Sequence, residues 1–339
     1  MQSKILPAGK LDIKILRNLL NNYSRSDEKV ILGPQIGEDA AAIDMGDRVL
    51  IVATDPITFA TDEIGYYSVV VNANDVATTG AEPRYYSVTM LLPEAEGIET
   101  LVDSIFKQIH RACEGLNISL IGGHTEITYG LDRPILVGQM IGEVQKERLI
   151  TTAGAKPGDL ILMSKGICIE GTSLIAREKE EELLSRGLSK NLVERAQGFL
   201  FDPGISVVNE ARLAFKAAQV HSMHDITEGG LVNGLHEISM AAGVEIEVEE
   251  DRIPIYEESR VICEAFGLNP LGVIGSGSLL ITASPLESEK ILDRASRDGV
   301  AVTRVGRVKA VGTPSVIMVT SEGYETAPYF DRDEVVKIF

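Results

Sequence analysis

The switching of apolar periodicity along the chain constrains its fold more than any single motif does. Residues 11–23, LDIKILRNLLNNY, space their apolar side chains for one face of a helix, whereas residues 48–55, RVLIVATD, read as a strand. The alternation continues with a helix at 64–79, a strand at 85–93 (YYSVTMLLP), a helix at 96–115 and strands at 117–123 and 134–144. KPGDLILMSK, residues 156–165, places Pro-Gly turn chemistry before a fresh strand, and the pattern starts again there. Helices are predicted near 170–187, 204–219, 229–242 and 286–298, with strands near 160–164, 277–282 and 300–319. The order is mixed α/β. At 339 residues the chain exceeds one ordinary core of about 100–200 residues, so two domains are expected, 1–155 and 156–339. Residues 176–198, rich in Glu, Arg and Lys, read as a solvated helical face.

Charge narrows the partners. Asp and Glu number 50 against 32 Lys and Arg, and no dense basic cluster occurs, which argues against nucleic acid or an anionic membrane as the main partner. A nucleotide remains possible, because cations, glycine-rich backbone and helix N-termini hold phosphate without a basic protein. The three cysteines, Cys113, Cys168 and Cys263, are far apart in sequence and form no C-x-x-C pair, so neither a zinc site nor a disulfide framework is expected. The N-terminal 20 residues lack a long apolar stretch, and no run reaches the ~18 apolar residues of a membrane span. A cytoplasmic, soluble protein is the expectation.

Within the first domain, SVVVNANDVATTGAEPR (68–84) begins as a buried helix and then carries Asn72, Asn74 and Asp75. Burying an unpaired carboxylate costs several kcal/mol, so a partner is implied if the helix is interior. Asn72 and Asp75, three residues apart, share a helical face. The alternative is a surface helix closed by Gly80, with these side chains in water. Standard nucleotide signatures are missing: there is no G-x-x-x-x-G-K-[ST], and GSGSLL (275–280) has Leu280 where a dinucleotide loop needs its third glycine. That segment reads as a flexible turn. HEISM (236–240) lacks the second His of a zinc-protease helix, and no G-x-S-x-G elbow occurs.

What remains is a set of carboxylates at element ends. Glu38 and Asp39 follow Gly37 in GEDAAAID, and Asp55 precedes Pro56. Asp75 lies in NAND, His124 and Glu126 just after a strand in GGHTEIT, and Asp225 and Glu228 in HDITEGGL where a helix begins. Each alone is ordinary turn or cap chemistry. Together they suggest a hard-cation site, since Mg²⁺ takes oxygen ligands shared between a few carboxylates and substrate phosphates. His124 is either a hydrogen-bonded structural residue or a phosphate contact.

These motifs, in this order, resemble the superfamily of aminoimidazole ribonucleotide (AIR) synthetase (PurM-like), selenophosphate synthetase, thiamine-monophosphate kinase and the HypE hydrogenase-maturation proteins. GEDAAAID, ATDPIT, NANDVATTGAEP, LIGGHTEIT, KPGDLILMSKGICIEGT, HDITEGGL and GVIGSGSLLIT carry the likeness, which is closest to HypE-like, AIR synthase-related proteins. The resemblance implies a two-domain α/β fold, with an N-terminal sheet that joins a second subunit's in an intersubunit barrel, a homodimer, and ATP bound in the cleft. It implies Asp39, Asp55 and Asp75 as Mg²⁺ ligands. Asn72, Asn74, Gly122, Gly123 and Thr125 would contact nucleotide, with His124 on the phosphate path. Asp75, His124, Asp225, Glu228 and Lys165 would serve the chemistry. The activity implied is phosphorylation, and in hydrogenase maturation dehydration, of a carboxamide-type oxygen. HypE proteins use a C-terminal cysteine, whereas the last one here is Cys263 and the sequence runs out as DEVVKIF. The substrate is then a small molecule or is borne by a maturation partner protein. A kinase resembling thiamine-monophosphate kinase and a non-catalytic ATP-binding scaffold are the alternatives.

Overall fold

The computed structural model describes residues 9, 11–25, 27–35, 37–58 and 60–339, so nine of the 20 residues read for a leader lie outside the described residues. Helix α1 (Ile13–Tyr23) starts at Asp12, whose carboxylate accepts the N–H groups of Lys14 and Ile15. The first sheet follows from β1 (Val30–Leu32), β2 (Ala41–Asp44), β3 (Arg48–Ile57), β4 (Glu82–Leu92), β5 (Ser119–Ile127) and β6 (Ile135–Gln145). Helix α2 (Ile64–Thr78) joins β3 to β4, and α3 (Ile98–Leu116) joins β4 to β5. The strand order is β1-β2-β3-β6-β4-β5, antiparallel except for the β4–α3–β5 crossover, which is parallel.

The second unit holds β7 (Leu160–Ser164), β8 (Ser222–Asp225), β9 (Val244–Glu249), β10 (Leu279–Ala283), β11 (Val302–Val311), β12 (Ser315–Thr320) and β13 (Gly323–Thr326). Between them run α4 (Ile169–Glu178), α5 (Glu180–Ser185), α6 (Lys190–Gly198), α7 (Val208–Ala217), α8 (Gly230–Ala242), α9 (Glu257–Phe266) and α10 (Pro285–Asp298). The order is β13-β12-β9-β11-β7-β10-β8, with only β9 and β12 parallel.

Several elements differ from the periodicity reading. The 170–187 helix breaks at Lys179, which leaves helical geometry, and gives α4 and α5. Residues 176–198 are not one solvated face, since Leu183 and Val193 are buried. The 300–319 strand splits around Gly312 and Pro314. The strand at 117–123 runs on to Ile127, so GGHTE lies inside β5 instead of after it. Asp225 ends strand β8, five residues ahead of helix α8. GSGSLL is not a loose turn: residues 275–280 are buried, the Ser278 hydroxyl donates to the Gly166 carbonyl at 2.5 Å, and a Cβ on Gly277 (φ +115°) would come within 2.7 Å of the Gly204 carbonyl.

Helix α2 is the centre of the molecule. Of its residues only Tyr66 is not buried, as expected for a helix apolar all round. One side lies on β3 and β6, another on α3, and another on α7 and β8 of the second domain. Glycines make this approach possible: a Cβ on Gly65 would stand 2.6 Å from the Ile105 carbonyl, and Cβ atoms on Gly138 and Gly142 of β6 would overlap Asn72 and Val76. A single apolar cluster therefore runs from the first sheet through Val69, Val70 and Val76 into Leu162, Val208 and Leu279. A second cluster, including Ile161, Ile175, Leu235 and Ile246, lies wholly within the C-terminal half.

Candidate active site

The polar residues of α2 are buried, which removes the surface-helix alternative: Asn72 and Asn74 have no exposed area and Asp75 is 5% exposed. Each amide grips main chain. Asn72 Oδ1 accepts the Asp55 N–H at 2.8 Å, and its Nδ2 donates to the carbonyls of Ser68 (2.9 Å) and Asp55 (3.3 Å). Asn74 points away into the second domain, where it accepts the Val207 N–H at 2.8 Å and donates to the Ile205 carbonyl at 2.9 Å. Between these grips Asp75 follows Asn72 by one turn on the same face. Asp55, near the end of β3 opposite Gly138, is half-buried.

Lys165 stands beyond the end of β7 with its ammonium group enclosed. Nζ donates to the carbonyls of Ser206 (2.7 Å), Gly204 (3.0 Å) and Pro203 (3.5 Å), and pairs with Glu210 at 3.1 Å. Burial lowers its pKa and the Glu210 carboxylate opposes that. Lys165 and Asn74 together thus hold the main chain of residues 203–207, ahead of the start of α7 at Val208. The ammonium group is committed to this loop.

Asp39 is joined to the second domain. Its Oδ2 lies 3.0 Å from Nδ1 of His224 on β8, and Glu237 on α8 lies 2.8 Å from Nε2. Burial by itself favours neutral imidazole, but carboxylates at both ring nitrogens outweigh it and hold the His224 pKa well above its ordinary value. The two flanking carboxylates favour the doubly protonated ring, in which both nitrogens donate. The neighbouring Glu38 accepts the N–H groups of Thr152 (3.0 Å) and Ala153 (3.1 Å). Asp225, next to His224 in a strand, projects to the opposite face and is fully buried.

A second acidic group lies around Glu228. The carboxylate of Asp333 accepts the Gly229 N–H at 2.7 Å, at the start of α8. Burial raises its pKa to about 6, against main-chain hydrogen bonds from Val335, Gly229 and Ile274, with Glu228 adding to the rise. Glu170, on α4, is pushed to about 7, again by burial, with Ser276 opposing and Asp333 and Glu228 reinforcing. Its Oε2 is buried and has no hydrogen bond among the described residues.

Gly122, Gly123, His124 and Thr125 lie together on β5, an edge strand exposed along its whole length. Gly123 must be glycine: with φ +149°, a Cβ would overlap the Val88 carbonyl. His124 Nε2 lies 3.3 Å from Glu126, one pleat along on the same face. Three strand spacings, about 14 Å, separate β5 from β3 in the sheet. The structure therefore ties Asp55 to Asn72, sets Asp75 one turn from Asn72 on the same helix, and ties Asp39 to the second domain. It leaves the β5 residues on a separate edge and Lys165 in its own cage. Among the described residues no group of three or more His, Cys, Asp or Glu converges as a metal-binding set. His224, Glu237, Glu170 and Asp333 were not picked out from sequence. His224 carried the one available signal, as the residue before Asp225 in HDITEGGL.

Two sheets, a shared central helix and carboxylates at the domain junction define a two-domain α/β protein of the PurM-like class. Residues 37–144 match the AIR synthase related protein, N-terminal domain, and residues 156–319 match the AIR synthase related protein, C-terminal domain; the chain belongs to this family, on its HypE-like side. It is 28% identical over 297 residues to a Methanocaldococcus jannaschii chain named for hydrogenase expression and formation, covering 84% of this chain and 83% of that one. To the carbamoyl dehydratase HypE of Cupriavidus necator it is 29% identical over 301 residues (85% and 81%). To the thiamine-monophosphate kinase of Aquifex aeolicus it is 25% identical over 256 residues (72% and 78%). The fold is similar to HypE in a HypE-HypF complex, with TM-score 0.74, 22% identity and coverage of 94% and 100%. It is also similar to HypE in complex with ATP, with TM-score 0.71, 23% identity and 96% coverage of both chains.

Proposed function

We propose that this chain is an ATP- and Mg²⁺-dependent enzyme of the HypE and AIR synthetase type that phosphorylates a carboxamide-type oxygen, turning it into a leaving group. The observation that carries the reading is the placing of Asp55 and Asp75 by one buried helix at the junction of the two domains. Their oxygens suit a hard cation. With no all-protein cage among the described residues, such a cation would complete its shell with water and phosphate oxygens, as Mg²⁺ commonly does. Bound Mg²⁺ and ATP supply a transferable phosphoryl group whose charge is partly neutralised. In this reading Asp55 and Asp75 are the cation ligands, with Asp39 held in reserve on the His224 side. Gly122, Gly123, His124 and Thr125, three strand spacings from Asp55 within one chain, would reach the phosphates from a second copy of the chain, and Asp225 and Glu228 would meet the reacting group from the second domain.

The HypE likeness supports a carboxamide substrate, small or carried by a maturation partner protein, and the HypE-HypF complex supports such a partner. The kinase relative supports a second reading, phosphorylation of a small molecule. An exposed β5 edge bearing Leu120, Ile121 and Ile127 supports a homodimer. A cytoplasmic location accords with the absence, among the described residues, of any helix long and apolar enough to cross a membrane.

Thermal unfolding tests the reading. ATP with Mg²⁺ is expected to raise Tm, ATP with EDTA to raise it much less, and Asp75→Asn to abolish the metal-dependent part. A Tm indifferent to both overturns it. Phosphorus NMR over a panel of carboxamides and thiamine monophosphate then separates dehydrating chemistry from a kinase, and binding without turnover on any of them points to a scaffold.

A further inference from the structure

The buried amide of Asn72 has a geometry that a nucleotide contact does not need. An amide side chain accepts at oxygen and donates two N–H groups. In Asn72 the oxygen goes to the Asp55 N–H and the nitrogen to the carbonyls of Asp55 and Ser68, all main-chain partners. Pairing of β3 with β2 ends at Val52, so among the described residues Asp55 lies where its strand pairs with β6 alone. A carboxamide presents the same acceptor and donor as a peptide group, and Asn72 takes up both main-chain groups of Asp55 as a missing strand would. The space for it is built in. Gly138 lies opposite Asp55 in the register, and a Cβ there would overlap the Asn72 amide and stand 3.0 Å from the Tyr86 ring.

We infer that Asn72 is a positioning residue, which sets the direction of the Asp55 carboxylate by holding the peptide groups on both sides of its Cα and does not touch the nucleotide. Fixing N–H and C=O of one residue fixes its Cα–Cβ direction, and hence where its oxygens point. The inference rests on the reading of Asp55 as a Mg²⁺ ligand given above.

The test compares metal and nucleotide binding separately. Mg²⁺ is titrated, by calorimetry, into protein holding a non-hydrolysable ATP analogue, and analogue binding is measured again in EDTA. Asn72→Ala is expected to raise the Mg²⁺ midpoint about 10–100-fold, the usual effect of losing a group that orients a metal ligand, with analogue affinity in EDTA unchanged. Gly138→Ala, which displaces the amide without removing it, is expected to move the midpoint the same way. An unchanged midpoint in Asn72→Ala, or lost analogue affinity in EDTA, overturns the inference. If the unaltered protein itself shows no Mg²⁺-dependent binding, it is the ATP and Mg²⁺ reading that fails. The clamp is judged independently, and even if the variants do not fold, by hydrogen exchange in the ligand-free native protein. Protection of the Asp55 N–H comparable to that of the Val49 and Ile51 amides in the same strand is expected, and exchange at the rate of an open loop overturns the clamp.

Discussion

Glu170 is ionised only at a cost, because its carboxylate is buried beside two others, Asp333 and Glu228, and one of its oxygens has no hydrogen bond among the described residues. Its folded-state pKa of about 7 lies above the ordinary 4.5, so the native state holds this proton more tightly than the unfolded chain does. The resulting stability is complete below pH 4.5 and is lost as pH rises from there through 7, a loss on the order of 3 kcal/mol. Asp333, raised from 3.8 to about 6, acts in the same direction over a lower window. Glu170→Gln keeps the shape and removes the charge. Urea unfolding is therefore expected to find the variant about as stable as the parent at pH 5 and more stable at pH 8; a variant weaker at both pH values contradicts this account. At this scale the sequence was legible for residue type and illegible for partner. Asp55 and Asp75 announced oxygen chemistry beside strand ends and small residues. Nothing in NAND told that its two amides would turn to opposite sides and bind main chain, because that depends on Gly138 and residues 205–207, both far away in sequence.

Among the elements, the loop at residues 203–207 shows how a side chain expected at phosphate can serve the fold. Three carbonyls and Glu210 enclose the Lys165 ammonium, and Asn74 takes the Ile205 carbonyl and the Val207 N–H from the other domain. Lys165→Met would leave the Glu210 carboxylate without its partner in a half-buried place and three carbonyl oxygens without a donor. A loss of about 3–5 kcal/mol is expected, read as a lower urea midpoint. The folded fraction is expected to bind ATP with unchanged affinity, and a large loss of affinity without a loss of stability would return Lys165 to the phosphate. Long elements such as α3, β6 and α10 were readable because their own period carries the signal. Strands β1, β2, β8 and β13, of three or four residues, were not, since a strand that short exists only through the neighbours it pairs with. The same dependence explains why β5 runs four residues beyond its expected end at 123: parallel pairing with β4 carries it through His124, Thr125, Glu126 and Ile127.

Taken whole, the molecule has its interior at the domain junction and an apolar surface left open on the first sheet. Helices α2 and α3 cover one face of that sheet; on the other, Leu50, Val52, Val137, Ile141 and Leu91 are only partly buried, and Tyr85 is exposed. At the β5 edge Ile121 is 56% and Ile127 55% exposed, and a groove of about 490 Å³ between α3 and β5 is lined by Phe106, His110, Cys113, Ile118 and Leu120. An unpaired strand edge beside exposed apolar groups is a template for association. A second copy of the chain fits, because each copy would bring the same open face and edge, and a two-fold axis makes one patch complementary to itself. Ile121→Glu separates this from a purely internal role. Most of the Ile121 side chain meets no part of its own chain, so the substitution is expected to leave the stability of the isolated subunit within about 0.5 kcal/mol. In a dimer it would bury a carboxylate from each copy against the other, at several kcal/mol per charge. Light scattering across a dilution series is expected to give twice the 36.6 kDa chain mass for the parent and a single chain mass for Ile121→Glu. A parent that is monomeric at all concentrations removes the dimer. A variant that stays dimeric places the interface away from β5, and the phosphate path through Gly122, Gly123 and His124 would then open to solvent instead of to a partner.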